Sequence, residues 1–214
     1  MPTRPVIHSN RRRVPRLWIA LAAIVVIAAV IAIVASRGGG NTTAAGTEQT
    51  RPVEVTGDSL PTLTTGLDSA VGSIIPELHG ASFDGTPVDV TRTGQAKLIL
   101  FVAHWCPHCQ REVPLLADFL RSHPLPAGIQ LVTVATATSP DLPNYPPSTW
   151  LADEHWPGPI LADSSDSAAA KAFGLPGYPY FVAVDSTGHV VARTSGEITT
   201  DQFMSLAQRA LGVD

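Results

Sequence analysis

Only two cysteines occur among the 214 residues, and they stand three apart in Trp105-Cys106-Pro107-His108-Cys109, directly after the apolar run Lys97 to Ala103. That junction constrains the fold more than any other feature. Lys-Leu-Ile-Leu-Phe-Val-Ala shows no polar alternation, so it reads as a strand covered on both faces. Gln110 to Ser122 follows, with apolar residues at Val113, Leu115, Leu116, Phe119 and Leu120 compatible with a helix, and His123-Pro124 ends it. The cysteines therefore sit where a buried strand gives way to a helix. A bridge across two intervening residues closes too small a loop to constrain an unfolded chain much. The spacing suits redox exchange or a metal half-site instead.

The remaining pattern supports a central mixed sheet with helices on both faces, an α/β fold over residues 72–214. Val88 to Val90 reads as a short strand after an Asp84-Gly85 turn, and Ile129 to Ala135 as a second buried strand. Residues 138–147 form a proline-dense loop. Short helices are expected over Ser148 to His155 and Ser167 to Phe173. Tyr180 to Val184 and His189 to Thr194 form a hairpin, and Thr199 to Leu211 a terminal helix with Thr199 or Thr200 as N-cap. Trp150 and Trp156 are expected as packing residues.

The N-terminal end has a different character. Leu17 to Ala35 is an uncharged run of 19 residues, nearly all Ala, Ile, Val and Leu. At about 1.5 Å per residue it spans roughly 28 Å, close to the hydrocarbon thickness of a bilayer. Residues 1–16 carry Arg4, Arg11, Arg12, Arg13 and Arg16, and only Arg37 follows closely. The positive-inside rule places residues 1–16 in the cytoplasm, makes 17–35 a transmembrane signal-anchor, and puts the rest outside the cell membrane as a single-pass protein. The alternative is a cleaved signal peptide. Its apolar stretch runs about 7–15 residues before an A-x-A-like site, and Val34-Ala35-Ser36 departs from that pattern. Residues 36–71, rich in Gly, Thr and Ser without an apolar period, are expected to be a flexible linker with a reach on the order of 30 Å. The first 37 residues carry six arginines and no acid, and the whole chain is -4, so residues 38–214 carry -10. An acidic ectodomain argues against nucleic acid as a partner.

At a helix N-terminus, Cys106 would meet unpaired N–H groups and the positive end of the helix dipole, which favour a thiolate. Cys109, one turn on, shares its face and is expected to be more buried. Cys106 is then the nucleophile and Cys109 the resolving thiol, working through a mixed disulfide. Pro107 and His108 tune the pair, because a histidine that stabilises the thiolate makes the disulfide a stronger oxidant. Trp105 is expected to shield the thiolate. The pair needs no cofactor beyond its own redox-active disulfide. A metal role with His104 and His108 is the alternative, and the proline-started helix suits it less well.

Phe101-Val102-Ala103-His104-Trp105-Cys106-Pro107-His108-Cys109 resembles the F-W-A-x-W-C-x-x-C signature of thioredoxin-fold proteins. Gln110-Arg111-Glu112-Val113-Pro114 resembles the C-x-x-E-x-P segment of the membrane-tethered TlpA/ResA branch. Gly177-Tyr178-Pro179-Tyr180-Phe181, running on to Asp185 and Gly188, resembles that branch's G-x-P stretch, and Ile75-Pro76-Glu77-Leu78 with Asp84-Gly85 its opening hairpin. The likeness covers about residues 72–212. It implies a thioredoxin-like fold, a cis-proline at Pro179 facing the cysteines, and Tyr178 in contact with substrate. It implies a thiol-disulfide oxidoreductase acting on cysteines of exported proteins, with a membrane redox partner that resets the pair.

Two departures bear on direction. Pro107-His108 is the dipeptide of DsbA-type oxidants, giving a C-P-H-C motif, whereas many tethered relatives are reductants. The buried acid that thioredoxins and DsbA-type proteins commonly carry six residues before the first cysteine is Leu100 here. Proton transfer to or from Cys109 then needs another route, through water or a nearby carboxylate; Glu112 is one candidate, the alternative being that it is a simple helix acid. The expected function is an oxidant or isomerase. The alternatives are a reductant for apocytochrome c or another exported thiol target, and a copper-binding module.

Overall fold

The computed structural model describes residues 48–213. The basic segment 1–16 and the expected anchor 17–35 lie outside the described residues. Among the described residues no helix is long and apolar enough to cross a membrane.

A five-stranded mixed sheet forms the centre: β4 (Ala96–Val102), β5 (Ile129–Ala135), β6 (Ile160–Ala162), β7 (Tyr180–Val184) and β8 (Val190–Ser195) in the order β6-β5-β4-β7-β8. β4 pairs in parallel with β5 and antiparallel with β7. Every residue of β4 is buried. Its alternate side chains feed two different cores. Leu98, Leu100 and Val102 pack with Val113, Leu116, Phe203 and Leu206 on one face. Ile99 and Phe101 pack with Val132, Val134, Phe173 and Tyr180 on the other. Two covered faces explain why this strand carries no polar alternation.

Helix α1 (Pro107–Ser122) leaves β4 through a four-residue turn. It starts at Pro107 with Cys106 as N-cap, as expected of a proline-started helix, because a proline's fixed φ and missing N–H suit the first helical position. Val113, Leu116 and Leu120 face the core as expected, but Leu115 is 62% exposed, so the apolar stripe is narrower than the sequence suggested. Helices α2 (Pro147–Asp153) and α3 (Ala168–Ala172) flank the sheet strands, and α4 (Thr200–Leu211) closes the fold. Thr199 caps α4: its hydroxyl accepts from the Gln202 N–H while the Gln202 side chain accepts from the Thr199 N–H. Trp150 and Trp156 are packing residues, both buried. Trp156 Nε1 donates to Thr133 Oγ1 at 2.8 Å.

The expected boundary at residue 72 falls too late. Residues 48–71 are laid onto the domain rather than free of it. β1 (Glu54–Thr56) joins β2 (Glu77–Ala81) and β3 (Pro87–Val90) in a small antiparallel sheet, order β1-β2-β3. Leu60 is buried and its N–H donates to Ala172 O at 2.8 Å. The Arg193 guanidinium, fully buried on β8, binds Asp68, Pro61 O and Tyr180 Oη. Gly174, at φ 65°, is required there, since a Cβ would lie 2.3 Å from Pro61 O. The segment's polar composition hid this attachment, because several of the groups that hold it, Ala172 and Arg193 among them, lie more than a hundred positions away.

Candidate active site

Cys106 is the N-cap of α1, with extended backbone (φ -74°, ψ 121°) and no side-chain hydrogen bond capping the helix. No side-chain oxygen therefore competes with its sulfur at the helix N-terminus, where the first-turn N–H groups lack intrahelical partners. Its backbone N–H donates to Ala103 O and its carbonyl accepts from Gln110 N, both at 3.0 Å. Cys106 is 5% exposed and Cys109 fully buried beneath it. Burial pushes the Cys109 thiol far up from its ordinary value, and the charges of Cys106 and Glu112 add to this, against a lowering hydrogen bond at Ala103. Cys106 keeps a slight exposure that Cys109 lacks, and the Cys109 thiol gives up its proton with difficulty.

The loop before β7 comes to the same place. The Tyr178-Pro179 peptide is cis, as the resemblance implied. Cys106 Sγ lies 3.7 Å from Tyr178 O. The Trp105 and Tyr178 rings meet edge to face at 5.7 Å, and Trp105 Nε1 donates to Ala137 O at 2.8 Å. The Trp105-Cys106 and Tyr178-Pro179 pairs, more than seventy residues apart in the sequence, are thus brought into contact.

His104 does something the sequence did not show. It is buried, Nδ1 donates to Pro143 O at 2.6 Å, and Nε2 accepts from the Ser139 N–H at 3.2 Å. The ring must be neutral to do both, and burial lowers its pKa. Asn144 and Gln110 side chains donate to its carbonyl. His104 therefore fastens the proline-dense loop to the active-site turn. Both ring nitrogens are used, so it offers no lone pair to a metal alongside the cysteines. Among the described residues, no group of three or more His, Cys, Asp or Glu side chains is placed to hold a metal ion.

Glu112 lies one turn beyond Cys109 on the same buried side, 2% exposed. Burial raises its carboxyl from 4.5 to about 7; the Ile198 N–H, donating at 3.3 Å, opposes the rise, and the charge of Glu197 adds to it. The other buried acid among the described residues, Asp163, accepts from Thr136 Oγ1 and from the N–H groups of Ser164, Ala169 and Ala170. Leu100, where thioredoxins place an acid, is core. Glu112 is then the buried carboxyl available to Cys109.

His108 is exposed on the first turn, with Nδ1 2.5 Å from Glu197 Oε1. Arg111 binds the same carboxylate through Nε and Nη2. Glu197 is 89 residues from His108, and no local pattern announces it.

The Redoxin family model matches residues 56–208, beginning inside β1. The chain belongs to the Redoxin family. Among curated relatives, this Redoxin chain is 27% identical over 144 residues to the thiol:disulfide interchange protein HelX of Rhodobacter capsulatus, covering 67% of this chain and 75% of that protein. It is 23% identical over 122 residues to the sporulation thiol-disulfide oxidoreductase A of Bacillus subtilis, covering 57% and 72%. Two solved structures share the fold. A thiol:disulfide interchange protein of Chlorobium tepidum aligns at TM-score 0.52 and 22% identity over 72% of this chain and 99% of that one. StoA of Bacillus subtilis aligns at 0.50 and 21% over 64% and 98%. With the C-x-x-C turn, family and fold agree: the protein is a thioredoxin-fold thiol-disulfide oxidoreductase.

Proposed function

We propose that this Redoxin is a single-pass, membrane-anchored enzyme that oxidises or isomerises cysteines of exported proteins outside the cell membrane. Segment 17–35 anchors it, and 1–16 stays cytoplasmic. The observation that carries the redox reading is Cys106 as an otherwise uncapped helix N-cap, beside Tyr178-Pro179 and above a buried Cys109. Pro107-His108 on that helix turn, in an oxidising compartment, supports the oxidising direction.

In that direction a substrate thiolate attacks Cys106 Sγ of the Cys106–Cys109 disulfide. The S–S bond breaks, and Cys109 leaves as a thiolate that takes a proton from Glu112. A second substrate thiolate then attacks the substrate sulfur of the mixed disulfide and releases the Cys106 thiolate. Two electrons pass to the pair and the substrate gains its disulfide. Trp105 shields the thiolate, His108 and Pro107 tune it, and the backbone at Tyr178 and Pro179 receives the substrate strand. Only two cysteines leave no internal relay, so a membrane partner, such as a quinone-linked oxidase, must reoxidise the pair.

The same steps run backwards in a reductant of apocytochrome c or another exported thiol target. The Glu197 carboxylate on His108 favours that second reading, because it offsets the charge that would make the pair oxidising. Alkylation trapping in intact cells separates the two. The oxidant reading predicts Cys106 mostly in a disulfide at steady state. Cys106 found mostly reduced, and lost to oxidation when a membrane electron donor is removed, contradicts it.

A further inference from the structure

The turn between β8 and α4 touches the cysteine helix at two successive residues. The Ile198 N–H binds Glu112 on the buried side, and the Glu197 carboxylate binds His108 and Arg111 on the outer side. The first turn of α1 has no acid of its own. His108 and Arg111, on successive turns of the helix, instead converge on one carboxylate oxygen brought from a distant loop. At 2.5 Å from that oxygen, His108 Nδ1 must carry the proton, since a ring lone pair facing a carboxylate would be repelled. Arg111 Nη2 lies 2.9 Å from Nδ1, and being donor-only it shares the acceptor rather than bonding to the ring.

We infer that Glu197 is a positioning residue that sets the reduction potential of the Cys106–Cys109 pair by holding the His108 ring and the Arg111 guanidinium away from the Cys106 sulfur. Without that anchor, either side chain is free to turn toward Cys106, where a donor or a positive charge stabilises the thiolate and so the reduced pair. Arg111 already lies within electrostatic reach, since the Cys106 charge is among the causes that raise its guanidinium. The carboxylate itself is held in its ionised form, at about 2, first by Arg111 and then by His108. An exposed ion pair of this kind adds little to fold stability. Its consequence lies in where two donors point, one helical turn from a redox sulfur. The Pro107-His108 dipeptide is thereby made less oxidising than it would be with a free histidine.

The inference rests on Cys106–Cys109 being the exchanging pair, and it is read as a difference between variant and wild type, so it stands apart from where the wild-type potential lies. The full chain in detergent is equilibrated with glutathione redox buffers at pH 7. Glu197→Gln is expected to shift the equilibrium about fivefold toward the reduced protein, about 20 mV for a two-electron couple. The shift shrinks in about 1 M salt, as an electrostatic effect requires. Arg111→Gln, which removes a cation and keeps the acid, moves the equilibrium the other way. In a His108→Ala, Arg111→Gln background, Glu197→Gln is expected to change it less than twofold. No shift in the single variant, or a full fivefold shift in that background, overturns the positioning role.

Discussion

Replacing Cys109 with serine is expected to leave Cys106 covalently joined to its substrates. Cys109 is fully buried while Cys106 is 5% exposed, so an incoming thiol or disulfide is expected to meet Cys106 first. A mixed disulfide formed there is resolved either by Cys109 or by a second substrate thiol. Cys109→Ser removes the internal route, and adducts at Cys106 accumulate. Non-reducing electrophoresis and mass spectrometry of the trapped species read the result directly. Cys106→Ser should trap nothing and lose activity altogether. The reverse pattern, adducts on Cys109 in Cys106→Ser, would exchange the two roles.

The second large effect belongs to Glu112. The Cys109 thiol is held far above neutral pH by burial, so it needs a base at the moment it attacks. Glu112, raised by burial to about 7, is the buried carboxyl one turn away. Glu112→Gln is expected to slow resolution of the Cys106 mixed disulfide by about 100-fold, within the range for loss of a positioned general base. The wild-type rate should rise through pH 7 as the carboxyl ionises, and the variant should lack that inflection. Stability moves the opposite way. A carboxyl whose folded value lies above its ordinary 4.5 costs the fold free energy when it ionises. Wild type therefore loses stability as pH climbs from about 4.5 to about 7, by roughly 3 kcal/mol at full ionisation. Urea denaturation should show Glu112→Gln more stable than wild type at pH 8 and similar near pH 4. A slower variant with no gain at pH 8 would mean that Glu112 is not held raised by burial.

Local features were legible in the sequence for local reasons. Lys97 to Ala103 announces β4 because both its faces are covered, and Pro107 fits the first turn of α1 because its backbone is already set for that position. The capping residue Thr199 and the turn around Gly188 are likewise encoded within a few residues. β1 and β6 were not found, since three residues are too few to display a period. The attachment of residues 48–71 was hidden because its chief anchor, Arg193, lies on β8 and reads locally as an ordinary strand residue. The site divides the same way. Cys106, Cys109, His108 and Glu112 fall in one short motif, and Tyr178-Pro179 came through the family resemblance rather than through any property of the residues. Glu197 lies in a turn whose importance exists only once β8 and α4 bring it to the cysteine helix. His104 sits in the motif itself, yet its partners Pro143 and Ser139 belong to a loop whose path no periodicity fixes.

The direction of electron flow is the centre of the account, and the reduction potential of the purified full chain tests it most directly. Equilibration with glutathione at pH 7 should give a value above about -200 mV, nearer to the isomerase and DsbA range than to thioredoxin. A value near about -270 mV would contradict the oxidising function and assign the pair to a reductant.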